Sequence, residues 1–154
     1  MTKKYKLINN FTGWFVFAIT AIVYFMTVEP TVSWWDCGEF IASANKMEVG
    51  HPPGAPLFLM LGRFFAIFAG SDKELVALMI NSLSVLASAF TVLFLFWTIT
   101  HIAKRCFSNT EELSFSNMLV IIGSGVVGAL AYTFSDTFWF SAVEGEVYAL
   151  SSLF

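Results

Sequence analysis

Of 154 residues, 57% are hydrophobic and 12% are charged, mean hydropathy is +0.73, and eight basic residues against eleven acidic ones leave a net charge of −3. These values exclude a soluble globular domain and offer no basic surface for nucleic acid; they describe an all-α, multi-pass membrane protein. Two cysteines, Cys37 and Cys106, give no disulfide framework, and the eighteen phenylalanines are membrane filling.

Lys3, Lys4 and Lys6 precede an apolar run at about 11–28, close to the ~20 residues that cross a bilayer. A cleaved signal peptide fits less well, because the run is long and lacks a small-x-small exit before Glu29-Pro30. The lysines put the N-terminus of this first span inside.

Residues 29–74 are of different composition, rich in charge, and are expected on the outer membrane surface. Trp34 and Trp35 suit the headgroup layer, and 36–48 reads as an interfacial helix. Gly50-His51-Pro52-Pro53-Gly54 breaks it, since prolines remove donors and force the preceding residue extended. Pro56 then opens a second interfacial helix, about 56–69, too short to span, with Arg63 snorkelling or paired.

Ser71-Asp72-Lys73-Glu74 has the form of a capping box before the second span, about 72–103, which ends in the basic flank Lys104-Arg105 and again marks the inside. An inner loop, 104–116, leads to a third span at 117–134. There Ser124, Gly125, Gly128 and Ala129 make a small-residue face that lets a neighbour approach. An outer segment follows at 135–146, and a fourth span starts at 147–154. The chain is expected to be the N-terminal part of a longer polytopic protein. This topology puts nine of the eleven acids outside (Glu29, Asp36, Glu39, Glu48, Asp72, Glu74, Asp136, Glu144 and Glu146), so chemistry is expected on that face.

The densest functional stretch is Trp34-Trp35-Asp36-Cys37-Gly38-Glu39-Phe40, followed by His51-Pro52-Pro53-Gly54-Ala55-Pro56. If Asp36 starts a helical turn, Glu39 at i+3 shares its face, and both carboxylates converge on a proton, a metal or a sugar hydroxyl. A displayed acidic helix face is the plainer alternative. Asp36, Glu39 and His51 are suitable metal-ligand types but have no recognised ligand spacing, so no cofactor is assigned. Cys37 reads as a small residue packed near the surface. Glu144 and Glu146, two apart, cannot share a helical face and argue against a paired-carboxylate site there.

These motifs, with Glu48-Val49-Gly50 leading into the Pro-Pro turn, resemble the GT-C glycosyltransferase superfamily. The nearer likeness is to a bacterial multi-pass family, long labelled a domain of unknown function, that is related to protein O-mannosyltransferases. The resemblance implies a sugar transferred from a polyprenyl-phosphate donor to a protein or glycan hydroxyl at the periplasmic face of a bacterial inner membrane. It implies that Asp36 is the catalytic carboxylate, with Glu39 the second candidate, because the O-mannosyltransferases have adjacent acids where two residues intervene here. His51 and Arg63 match no residue whose role carries over from the family, and their substrate-binding use is expected from their chemistry, with phosphate contact the reasonable one; Glu144 and Glu146 fall near where the resemblance implies further donor-site polar residues. A transporter or flippase, or a non-catalytic scaffold, remains as an alternative; the near absence of charge within the spans counts against transport.

Overall fold

The computed structural model describes residues 3–52, 54–107 and 114–154; Pro53 of the Pro-Pro turn and part of the inner loop lie outside the described residues. Every regular element among them is helical. Three helices are long and apolar enough to cross a membrane: α1 (Lys3–Thr27), α4 (Leu75–Cys106) and α5 (Phe115–Thr133). Between α1 and α4 lie α2 (Cys37–Lys46) and α3 (Pro56–Ala66), the latter continued by a 3-10 turn at Ile67–Ala69. After α5 come α6 (Asp136–Ala142) and α7 (Val147–Leu153).

Two compact units divide the chain. The first takes Met1–Thr20 and Ala89–Ser135, that is, the start of α1, the end of α4, and α5. The small face of α5 meets α4: a Cβ on Gly125 would lie 2.5 Å from Thr100 Cγ2, and one on Gly128 would lie 2.6 Å from Ile99 Cδ1. Without strong hydrophobic driving force in lipid, such close backbone approach supplies the dispersion contact that holds helices together. Thr20 and Thr133 add a buried hydroxyl pair at 3.2 Å, and Trp14, Phe17, Phe90 and Trp97 meet edge to face or tilted.

The second unit takes Ala21–Ser88 and Asp136–Phe154. Its core joins Ile41 and Ala44 of α2, Phe58, Leu59 and Ala66 of α3, Ala77, Ile80 and Leu83 of α4, and Leu150 of α7. α2 ends at Met47 in a left-handed conformation, with Glu48 N–H donating to the Ser43 carbonyl. α3 begins with Pro56 in its first turn, where the missing donor costs nothing. At the start of α4 the Glu74 N–H is held by Asp72 Oδ1 at 2.9 Å, so the aspartate rather than Ser71 provides the side-chain acceptor.

Asn81, one turn and a half into α4 and wholly buried, ties this unit together. Its Nδ2 donates to the carbonyls of Glu29 at 2.7 Å and Thr31 at 3.1 Å. The Glu29 N–H in turn donates to the Val143 carbonyl, fixing the segment after α1 to the segment after α6.

Candidate functional site

Asp36 occupies the N-cap position of α2, yet its carboxylate makes no capping bond. An aspartate there ordinarily accepts from a backbone N–H of the first turn, so this one is left available. It lines a cavity of about 410 Å³ together with Trp35, Asp136, Thr137, Phe140, Ser141, Glu144, Glu146 and Tyr148. Four carboxylates, two aliphatic hydroxyls and three aromatic side chains thus face one space with no lysine or arginine among them. Such a lining suits a neutral polyol, whose hydroxyls donate to carboxylates and whose apolar face rests on a ring.

Trp35 has φ +62, in the left-handed region that a bulky residue rarely adopts. Its side chain is 88% exposed, so packing of the ring does not explain the conformation. Strain of this kind costs of order 1 kcal/mol or more and gathers at functional sites. Here it sets the chain direction immediately before Asp36.

Beside Asp36 the buried Cys37 lies against Glu144 and Glu146. Its Sγ is 3.5 Å from Glu144 Oε2 and 3.3 Å from Glu146 Oε1, and Ser33 Oγ donates to Glu144 Oε1 at 2.6 Å. Burial, followed by the two carboxylates, pushes the thiol far above its ordinary range, so it stays protonated. Burial also raises Glu146, opposed by the Cys37 hydrogen bond and assisted by the charges of Glu144 and Asp36. Cys37 Sγ and one oxygen from each glutamate lie within 4.8 Å of one another and could hold a divalent cation, which would first have to displace the thiol proton.

Two sequence expectations change here. Glu144 and Glu146 do converge, because they are not on a helix: the chain turns between α6 and α7, closed by Glu146 N–H donating to the Glu144 carbonyl. The i,i+2 rule applies only within helices. Cys37, expected as a small residue packed near the surface, has no exposed area as the first residue of α2.

The two acids of the motif have different partners. Glu39 accepts from the His51 backbone N–H at 2.6 Å and from His51 Nδ1 at 2.9 Å. His51 also begins the turn closed by Gly54 N–H to its carbonyl. These bonds, the backbone one foremost, hold Glu39 below the usual carboxylate range, and the Glu39 side chain raises His51. Arg63 Nη1 donates to the carbonyl and Oδ1 of Asn45, at 2.7 and 3.1 Å, joining α3 to the end of α2. Neither His51 nor Arg63 lines the acidic cavity.

Sequence reasoning counted Asp136 only as an outer acid and passed over Ser33 and Asn81. An amide in an otherwise apolar span was the available signal for Asn81, because a buried polar side chain in such a helix needs named partners.

Residues 36–154 match the family model described as "Protein O-mannosyl-transferase TMEM260 N-terminal domain". The chain belongs to this family. The match starts at Asp36 and contains Glu39, His51, Arg63, Glu144 and Glu146, with Ser33 and Trp35 just before it. The chain is 31% identical over 139 residues to "Protein O-mannosyl-transferase tmem260" of Dictyostelium discoideum, covering 90% of the chain and 15% of that protein. It is 31% identical over 140 residues to "Protein O-mannosyl-transferase TMEM260" of Mus musculus, covering 90% and 17%. The chain therefore spans about a sixth of the length of these relatives. No solved structure matches.

Proposed function

We propose that this chain is the site-bearing membrane portion of a GT-C-type glycosyltransferase that moves a sugar, mannose by the relatives' names, from a polyprenyl-phosphate donor to a protein or glycan hydroxyl. The observation that carries this reading is the uncommitted carboxylate of Asp36 on the wall of an acidic, aromatic cavity. Asp36 acts as general base. It takes the proton of the acceptor hydroxyl as that oxygen bonds to the anomeric carbon, and the bond from that carbon to the phosphate oxygen breaks on the opposite face with inversion. The lipid phosphate leaves with the bonding electrons and needs no strong acid. Glu39, held by His51, positions the turn rather than taking the proton. Glu144 and Glu146 bind the sugar or acceptor hydroxyls, and His51 and Arg63 brace the two helices around the site.

The basic residues at the start of α1 and the end of α4 support an orientation with those ends cytoplasmic and the acidic cavity on the outer side, periplasmic if the membrane is the inner membrane of a bacterium. The charged residues of α1 and α4 lie in their end turns and α5 has none, which disfavours a transporter or flippase. The full-length protein in proteoliposomes, supplied with labelled polyprenyl-phosphate mannose and a hydroxyl acceptor, should release lipid phosphate and label the acceptor. Lipid movement across the bilayer without glycosidic bond formation would overturn this reading.

A further inference from the structure

Trp34 and Trp35 are chain neighbours of similar exposure, 82% and 88%, and composition alone gives both to the headgroup layer. The structure separates them. Trp35 lines the acidic cavity and Trp34 does not. Anchoring in headgroups accounts for Trp34, but an anchor needs neither a place on a cavity wall nor a left-handed backbone at φ +62, and Trp35 has both.

The rest of the lining decides what this indole meets. Asp36, Asp136, Glu144 and Glu146 surround the space with negative charge, and the described residues that line it include no lysine or arginine, so a phosphate is repelled and a neutral group is admitted. A sugar ring is neutral and has two chemistries. Its hydroxyls reach the carboxylates and the Thr137 and Ser141 hydroxyls, while its C–H face needs an apolar surface, and the electron-rich face of an aromatic ring supplies one. Phe140 and Tyr148 also line the cavity, but Trp35 is the largest of the three and directly precedes Asp36. A sugar lying on its indole is thereby held beside the carboxylate that takes the acceptor proton. We infer that Trp35 is the platform on which the transferred sugar ring stacks, and that through it the site selects a neutral sugar ring and not the lipid phosphate. This rests on the glycosyltransferase reading above.

The test is steady-state transfer by the full-length protein in proteoliposomes, with labelled polyprenyl-phosphate mannose as the varied substrate and sugar-free polyprenyl phosphate as competitor. Trp35→Gly removes the ring, and glycine adopts positive φ without strain, so the turn before Asp36 is kept. Donor KM should rise at least about tenfold with kcat little changed, the pattern of a contact made equally in the ground and transition states. Trp35→Asn, which also tolerates that backbone, should behave alike, and Trp35→Phe should recover most of the loss. The inhibition constant of polyprenyl phosphate should stay within about twofold of wild type, since it carries no sugar, and Trp34→Ala should keep a near wild-type KM. An unchanged KM in both Trp35→Gly and Trp35→Asn would overturn the inference. An equal rise in Trp34→Ala would do the same by reducing the effect to anchoring, and equal weakening of polyprenyl phosphate would do so by placing the indole on the lipid. A fall in kcat alone would make Trp35 a positioning residue for Asp36, again overturning it. These outcomes leave the glycosyltransferase reading standing, whereas absence of transfer by the wild type would remove that reading and this inference together.

Discussion

His51 closes on Glu39 through two hydrogen bonds, one from its backbone and one from its ring, so the second acid of the motif is committed to the turn that follows α2. The pair has a defined pH window. His51, raised from 6.5, contributes stability that is complete below 6.5 and is lost as pH rises through its folded value. Glu39, lowered from 4.5, contributes stability that is present above 4.5 and is lost as pH falls through its folded value. Both contributions are therefore full between about 4.5 and 6.5. Because the pair is half-exposed, the effect is small and salt-sensitive. The thermal midpoint of the full-length protein should exceed that of His51→Gln at pH 5.5 and converge with it by about pH 9. A gap that stays constant across this range would show that the backbone bond alone matters.

A second relationship holds the loop that carries Glu144 and Glu146. A Cβ on Gly145 would lie 2.6 Å from the buried, unpartnered Oδ1 of Asn81. Gly145→Ala should therefore destabilise the protein by about 1–3 kcal/mol through overpacking. Asn81→Ala should cost about as much, by leaving the Glu29 and Thr31 carbonyls without their donor. In the double variant the clash disappears, so denaturation should show the two costs summing to less than their total by at least about 0.5 kcal/mol. Strict additivity would mean the two residues do not touch.

Topology is best read with a cysteine other than Cys37, which is fully buried and held protonated. Val49, 94% exposed after α2, is the better reporter for the outer segment, and the exposed Cys106 reports the basic end of α4. In sealed cells an impermeant maleimide should label Val49→Cys at once, label Cys106 only after permeabilisation, and reach Cys37 only after denaturation. Outside labelling of Cys106 would invert the proposed orientation.

What the sequence made legible was governed by composition, and what it hid was governed by turns. Apolar length and basic flanks mark α1, α4 and α5, although α1 starts at Lys3, well before its apolar run, because lysine and asparagine are compatible with helix outside the hydrocarbon. The motif from Trp34 to Phe40 could be singled out as chemical, but its internal geometry could not. The i+3 argument put Asp36 and Glu39 on one stripe, whereas Asp36 is at the N-cap, only half within the helix. Glu144 and Glu146 depend on a tight turn around Gly145, and Asn81 on contacts more than fifty residues away in sequence. Neither leaves a periodic trace.

Those geometries separate the two motif acids and so sharpen the mechanistic test. Asp36 makes no capping bond and lines the cavity, whereas Glu39 is held by His51. On the proposed mechanism Asp36 is a general base, worth about 10²–10⁴ in rate, so Asp36→Asn in the full-length protein should lower kcat by that order. Donor KM and thermal stability should hardly change, because the amide keeps the size of a side chain that caps nothing. Glu39→Gln should instead lower stability most between about pH 4.5 and 6.5, where the ion pair is intact, with only a modest fall in kcat. Since Glu39 is coupled to His51, His51→Gln should reproduce the Glu39→Gln behaviour and add little to it in the double variant, as expected for partners in one interaction. Near wild-type turnover in Asp36→Asn would remove Asp36 from proton transfer, and a dead Glu39→Gln with normal stability would move that role to Glu39.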